Sequence, residues 1–255
     1  MESDIDWHTA RALYEWQAEL GATEAILDAP INRFQLDQST KPSAKQSLKE
    51  PVKPIVEVSP SDVATQLAQQ ATDIAGLEQI VQSFDLCELR KGARKFVFAQ
   101  GSPQARVMVI GDAPTRADED AGHPFAGREG ALFDKMFEAI GLGRDTGSDA
   151  IALYLTNLFP WNPARKPTGI EVDMMLPFLV RHIELKSPDY IVVMGPLVCQ
   201  ALLKKSSMQS ARGNWVELVG THALTIFPPS FLLQDPNAKR AAWQDLLMLK
   251  SRLDA

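Results

Sequence analysis

The stretch RVMVIGDAPTRADEDAGHPFAGREG, residues 106–130, joins two patterns that together indicate the fold. RVMVIG is a short apolar run rich in β-branched residues, which predicts a buried strand. Residues 111–130 follow with five acids, two prolines and four glycines. Glycine-rich turns after a strand often bind phosphate, but the negative charge of this one disfavours an anion. We expect it to form the wall of a pocket instead.

The same order of strand and helix repeats toward the C-terminus. Apolar runs at 150–160, 189–195 and 223–230 predict three more strands, with helical patterns between them. The alternation predicts an α/β fold: a three-layer sandwich with a central four-stranded, mostly parallel sheet and helices on both faces. Ligands of such sheets bind outside the carboxyl ends of the strands. The loops of interest then begin at Gly111, Asn157, Gly195 and Phe227.

The N-terminal part of the chain has a different composition. Residues 7–21 predict an amphipathic helix, and residues 36–60 contain four prolines, four serines and four lysines, which is typical of a linker. We therefore expect an acidic helical segment over residues 1–35, a flexible linker over residues 36–60 and one domain over residues 61–255. The first part of that domain, to about Phe84, is predicted to be helical.

Charge and cysteine content restrict the possible functions. Residues 1–75 contain 6 basic and 12 acidic residues and so account for the whole net charge of −6. The remainder is neutral overall, which neither excludes nor favours a nucleic-acid partner. Cys87 and Cys199 lie far apart, as suits a reducing compartment. The acidic N-terminus is unlike a secretory signal and no apolar run is long enough to span a membrane, so we expect a cytoplasmic protein without a leader and without membrane contact.

Short motifs in the predicted loops follow the order of one family. They are GDAPT at 111–115, an acidic pair at 118–119, G-x-PF-x-G at 122–127, Thr156-Asn157, Arg-x-Pro at 165–167 and Arg212-Gly213. From about Phe84 to its end, the chain resembles the uracil-DNA glycosylase superfamily, most closely its family 4 type. The resemblance implies a DNA repair hydrolase that begins base excision by removing uracil, or a related deaminated base, from DNA.

The resemblance also implies roles for individual residues. Asp112 stands where the family usually has glutamate, and would orient a water molecule and favour the cationic sugar of the transition state. Because aspartate is one methylene shorter than glutamate, its carboxylate has a shorter reach toward that water molecule. Phe125 would stack on the base and Asn157 would read its edge, since an amide both donates and accepts hydrogen bonds. Gly111 and Ala113 would line the base-binding pocket.

The loop at residues 227–233 departs from the family. The family motif is His-Pro-Ser or His-Pro-Ala, then an aromatic residue and Leu-Leu, whereas here the sequence is FPPSFLL. Pro228 occupies the position of the histidine that hydrogen-bonds the departing base, and proline has no side-chain donor. Loss of such a donor typically costs about 10²–10³-fold in rate. His123 and His222 are the candidates to substitute for it, and otherwise the leaving-group site is weakened.

The resemblance predicts DNA contacts as well. Ser230, Phe231 and Leu232 would form the loop that presses into the duplex, because apolar wedges and hydroxyls serve that purpose. Arg212, Lys239 and Arg240 are candidates for phosphate contacts, although a solvated helix start is an equally good interpretation of Lys239 and Arg240. The expected partner is single- or double-stranded DNA that contains uracil. The chain is expected to be a monomer, with a possible protein partner for the N-terminal helix.

Members of family 4 hold an iron–sulfur cluster on four cysteines, as such clusters require thiolate ligands. The corresponding positions here are Phe84, Cys87, Trp161 and Met175. Because one cysteine of four remains, we expect no 4Fe–4S cluster, no other cofactor and no metal site.

Three hypotheses remain open from the sequence. The first is a glycosylase with an altered leaving-group site, which Asp112, Phe125 and Asn157 favour. The second is a catalytically impaired homologue that acts as a DNA- or protein-binding module, which Pro228 favours. The third, an α/β protein that binds a nucleotide, has only the predicted fold in its favour.

Overall fold

The computed structural model describes residues 11–12, 15–17, 59–144, 147–148 and 151–254. Its contacts divide the chain into two units, Met1–Ile55 and Val56–Ala255. Within the first unit, residues 11–12 and 15–17 are helical. The other predictions for residues 1–58, including the flexible linker, fall outside the described residues.

The second unit is built on one six-stranded sheet. Its strands are β1 (Ala99–Gly101), β2 (Val107–Gly111), β3 (Leu153–Asn157), β4 (Tyr190–Met194), β5 (Trp215–Leu218) and β6 (Thr221–Thr225). They are ordered β1-β3-β2-β4-β6-β5. The four inner strands pair in parallel and are the four strands that the sequence predicts.

The sheet is wider than predicted, because an antiparallel strand is added at each edge. β1 is only three residues long and half-buried, so it has no periodic pattern to detect. β5 forms a hairpin with β6 through Val219 and Gly220, both with positive φ. Such backbone angles suit a two-residue turn. A β-branched residue such as valine rarely adopts them, so the sequence does not predict a turn here. The expectation of four strands was therefore too low by these two.

Helices pack against the sheet. They are α1 (Pro60–Gln70), α2 (Ile74–Ser83), α3 (Arg116–Ala121), α4 (Gly127–Glu138), α5 (Gly169–Lys186), α6 (Pro196–Leu203), α7 (Met208–Ala211), α8 (Pro229–Gln234) and α9 (Lys239–Leu253). The helical region predicted from residue 61 to 84 is confirmed as the two pieces α1 and α2, and α1 packs against α5. Helices on both faces remain a prediction, which the right-handedness of parallel crossovers supports.

The strand order fixes where a ligand can bind. The chain leaves β2 toward β3 on one side, and leaves β4 toward β6 on the other. Since the loops after these two adjacent strands run in opposite directions, a crevice opens between their carboxyl ends. Asp112 follows β2 and Gly195 follows β4, so both lie at this switch point.

Candidate active site

A pocket of about 190 Å³ lies at the carboxyl ends of the inner strands. Water occupies about 30 Å³ per molecule in the liquid, so the space suits a small ring better than one solvent molecule. The pocket is lined by all the residues predicted to act in catalysis or base binding: Gly111, Asp112, Ala113, Phe125, Asn157 and Pro228. The structure thus brings together residues from the loops after β2, β3 and β6.

Asp112 is the carboxylate at the switch point. Its Oδ1 accepts a hydrogen bond from the backbone N–H of Val198, in the first turn of α6, at 2.8 Å. A Cβ atom at Gly195 would overlap the Asp112 carboxylate, so only glycine allows this approach. Burial raises the pKa of Asp112 to about 6, although the N–H groups of Val198 and Leu197 oppose the shift. The group is therefore ionised at neutral pH and close to its titration range.

Phe125 supplies the aromatic surface of the pocket. Its backbone is in the left-handed region with a φ of 53°, which a bulky residue adopts only when its surroundings hold it. Arg144 provides that support by donating hydrogen bonds to the carbonyl oxygens of Pro124 and Phe125. The Phe125 ring stacks on Phe133, with 4.7 Å between centroids. The position of this ring is therefore fixed before any ligand binds.

Asn157 ends β3 and contributes an amide to the pocket. Its Nδ2 atom is buried and has no hydrogen-bond partner among the residues that the structure describes. A Cβ atom at Gly111 would overlap the Asn157 Oδ1 atom and crowd Phe125. Because an unpaired buried donor costs free energy, this amide is suited to an acceptor on a ligand.

Two acidic residues of α3 hold the surrounding fold together. Asp118 closes a capping box with Thr115 at the start of α3 and accepts a hydrogen bond from the Ala126 N–H at 2.5 Å. Glu119 accepts hydrogen bonds from the Arg94 N–H and the Asn162 side chain. Asp118 and Glu119 are therefore engaged in holding the fold.

The loop after β6 corrects part of the predicted DNA contact. Pro228 is the N-cap of α8, and Ser230 in the first turn lines the pocket. Phe231 is 37% exposed, whereas Leu232 is 1% exposed and packs in the core. One turn of helix points these neighbours in different directions. Leu232 is therefore removed from the predicted wedge, and Phe231 is retained.

The predicted phosphate contacts are also revised. Arg212 makes two hydrogen bonds to Asp245, at 2.8 and 2.9 Å, and a third to the Ala241 carbonyl oxygen. These bonds engage Nε and Nη2, and the Asp245 carboxylate neutralises the charge of the guanidinium, which disfavours a phosphate contact. Lys239 is exposed at the start of α9 and lines a separate apolar groove with Trp243. It fits the alternative interpretation of a solvated helix start.

Neither histidine proposed as a substitute for the missing one lines the pocket. His123 contacts the Pro124 carbonyl oxygen through Nδ1. His222 is exposed and pairs with Tyr190 near the amino end of β6, whereas the pocket lies beyond the carboxyl end. The expectation that either one replaces the histidine is therefore abandoned.

The four positions that hold a cluster in family 4 do not suit one here. Phe84, Cys87, Trp161 and Met175 are all buried in the same apolar core. They offer a single thiol, and burial raises its pKa, which disfavours the thiolate that iron needs. The cavity beside Met175 measures about 20 Å³, roughly the space for one water molecule. Both cysteines are free and buried.

No three His, Cys, Asp or Glu side chains gather as a metal site within the described ranges. The same ranges contain no helix that is long and apolar enough to cross a membrane.

Sequence reasoning missed two residues that matter for this site. Arg144 follows no motif, and its role depends on carbonyl groups about twenty positions earlier in the chain. Glu129 lines the pocket from the first turn of α4, but a glutamate near a helix start ordinarily indicates only a favourable helix dipole.

The fold and the pocket define an α/β protein with a ring-sized site at a topological switch point. Residues 98–247, more than half of the chain, match the family described as the Uracil DNA glycosylase superfamily. The chain therefore belongs to the uracil-DNA glycosylase superfamily, a family of DNA repair.

Three curated relatives, each a type-4 uracil-DNA glycosylase, show how distant the relationship is. The protein of Thermotoga maritima is 28% identical over 178 residues, covering 67% of this chain and 90% of the relative. That of Archaeoglobus fulgidus is 28% identical over 62% of this chain and 82% of its own length. That of Pyrobaculum aerophilum is 28% identical over 52% of this chain and 65% of its own length.

Proposed function

We propose that this protein is a DNA glycosylase that hydrolyses the bond between deoxyribose and uracil, or a related deaminated base. The observation that carries the proposal is the unpartnered amide donor of Asn157. It lies in one pocket with a fixed aromatic ring, Phe125, and a carboxylate, Asp112. These are the groups that a base flipped out of the DNA stack requires.

Each group has a distinct part in the reaction. The flipped base stacks on Phe125, and Asn157 donates to one of its carbonyl oxygens. The ionised Asp112 orients a water molecule and stabilises the positive charge that develops on the sugar. The N-glycosidic bond breaks and its electron pair leaves with the base. The water oxygen then bonds to C1′ of the sugar, and its proton passes to Asp112.

The leaving-group side of the pocket is the weak part of this site. In the family, a histidine at the position of Pro228 stabilises the negative charge on the departing base, and proline cannot. We therefore expect excision to be slower than in enzymes that keep the histidine. Phe231 and Ser230, next to the pocket, are the residues we expect to contact the DNA strand.

A second candidate function is a DNA-binding module without useful catalysis. One observation favours it: Pro228 has no side-chain donor to stabilise the departing base, which weakens catalysis without affecting the base pocket. This candidate keeps the base pocket as a recognition site for uracil in DNA.

Incubation with a single-stranded oligonucleotide that contains one uracil, followed by alkali, tests the proposal. Strand cleavage supports the enzyme, and a mobility shift without cleavage supports the binding module. Asn157→Ala should reduce excision of uracil by about ten- to a hundred-fold, the value of a hydrogen bond to a developing charge. Asn214→Ala, at an exposed asparagine away from the pocket, is the matched control and should leave the rate unchanged.

A further inference from the structure

The structure places a second carboxyl group close to the position of the missing histidine. Glu129 lines the same pocket as Asp112, Pro228 and Ser230. It lies in the first turn of α4, and α4 packs against α8, the helix that begins directly after Pro228. Glu129 and Pro228 therefore approach the pocket from two helices that are in contact.

Glu129 differs from Asp112 and Asp118, the other carboxylates of the pocket, in having no bonding partner among the described residues. Asp118 accepts hydrogen bonds from Thr115 and from the Ala126 N–H. Asp112 accepts one from the Val198 N–H. Within the described part of the chain, no hydrogen bond or ion pair involves the Glu129 side chain. A half-buried carboxyl group without a partner is free to bind a ligand.

The charges around Glu129 favour its protonated form. Burial, and then the negative charge of Asp118 on α3, raise its pKa. Asp112 adds a further negative charge to the same pocket. α8 carries no charged residue. The guanidinium of Arg144 lies near Gly130, but it is paired with Asp134. α9 also packs on α4, and its Lys239 lines a different groove from the pocket that Glu129 lines.

We propose that the protonated carboxyl group of Glu129 donates a hydrogen bond to the departing base, in place of the histidine that Pro228 replaces. The inference rests on the proposed glycosylase function. When the N-glycosidic bond breaks, its electron pair becomes negative charge on a carbonyl oxygen of the base. The Glu129 proton is shared with that oxygen, while the attacking water still gives its proton to Asp112. The developing anion itself favours the protonated carboxyl group.

The test compares Glu129→Gln with Glu129→Ala over a range of pH, in single-turnover excision of uracil from a single-stranded oligonucleotide. In the parent, excision should decline as the pH rises through the pKa of Glu129, because the donor is lost. Glutamine donates at every pH, so Glu129→Gln should keep the rate and lose the decline. Glu129→Ala should be slower by about tenfold to a hundredfold, below the full value of one good donor. Glu138→Gln, at the exposed end of α4, is the control.

A second experiment combines substitutions at Glu129 and Pro228. In the Glu129→Ala background, Pro228→His should restore excision by a larger factor than it accelerates the parent, because it then supplies the sole donor. Equal acceleration in both backgrounds would count against the inference.

The outcomes separate the two proposals. A parent without excision activity overturns the proposed function and this inference together. A parent that excises uracil, with an alanine variant that is folded and equally fast, overturns the inference alone. If the alanine variant does not fold, the glutamine variant decides. A glutamine variant that retains the alkaline decline, or is as slow as a folded alanine variant, contradicts a donor role for Glu129.

Discussion

The loop after β2 and the loop after β6 line the same pocket, yet they are held in different ways. In the first, hydrogen bonds to Asp118 and from Arg144 fix the backbone near Phe125. In the second, α8 is held mainly by apolar contacts, with Leu232 in the core. The first loop keeps the family's pattern apart from Asp112, which stands where the family usually has glutamate, and the second has lost the family's histidine.

This difference shows which kinds of substitution each loop tolerates. A side chain in the first loop that bonds to the backbone cannot be replaced without leaving a buried polar group unpaired. The side chain at position 228 supports no such network, and the φ of −69° at this N-cap suits the proline ring. A chemical role can then move to another residue of the same pocket, and Glu129 is the residue we infer.

The largest effect on activity is expected from Asp112→Asn, which removes the carboxylate of the first loop that orients the attacking water and accepts its proton. Excision should fall by about 10²–10⁴-fold, the usual contribution of a group that handles the proton of the attacking water, with a much smaller change in DNA binding. Because Asp112 acts when ionised, its contribution should rise with pH through about 6. Single-turnover excision and DNA titrations measure the two effects.

Asp120→Asn is the control for that change, since Asp120 is exposed in the same region and its side chain pairs with Arg116 at the surface. An Asp112→Asn variant that excises uracil at the parent rate would show that another group activates the water.

The next largest effect concerns the support of the second loop. Arg212 stacks over Phe227 and pairs with Asp245, whose side chain is 1% exposed. Arg212→Ala would leave that carboxylate buried without its cation, which typically costs about 3–5 kcal/mol of unfolding free energy. Chemical denaturation measures this loss.

The pH dependence of the loss has a definite sign. Burial raises the pKa of Asp245 even with Arg212 present, and removing the arginine should raise it further. The folded variant then binds a proton more readily than the unfolded chain, so the destabilisation should shrink as the pH falls. Arg240→Ala, at an exposed position on α9, should have little effect. A loss that does not vary with pH would indicate lost packing rather than an unpaired charge.

A smaller effect is expected from Pro228→His, which makes the second loop like that of the family. The following residues already read Pro-Ser, as in the family motif. Excision by the parent should rise by about tenfold or more, below the 10²–10³-fold that one good donor can supply. DNA affinity should change little, because the donor acts on charge that is present only in the transition state. A folded histidine variant with an unchanged rate would mean that another donor, Glu129 by our inference, already suffices.

The smallest effect is expected from iron chelation, which concerns neither loop. With one buried thiol at the four family positions, the purified protein should contain no stoichiometric iron and show no visible absorbance from a cluster. Treatment with a chelator should leave both excision and thermal stability unchanged. Stoichiometric iron by metal analysis would refute this expectation.

The sequence by itself determined the central sheet and the order of the loops. The four parallel strands are short, continuous apolar runs, and burial on both faces of a sheet produces that pattern. The residues after each run carried the family motifs, so Asp112, Phe125, Asn157 and Pro228 could be assigned to one site from their order alone. Parallel strands bring such loops to one edge whatever the details of packing.

Only the tertiary structure decided which side chains are free to act. Phe231 and Leu232 are adjacent in sequence, but the turn of α8 exposes the first and buries the second. Arg212, expected to be free for phosphate, pairs with Asp245 instead. Glu129, for which the sequence predicted no role, lines the pocket without a bonding partner among the described residues. A side chain's availability depends on partners far away in sequence. No local sequence pattern identifies these distant partners. Only the packed structure therefore shows which side chains of the pocket can take part in the reaction.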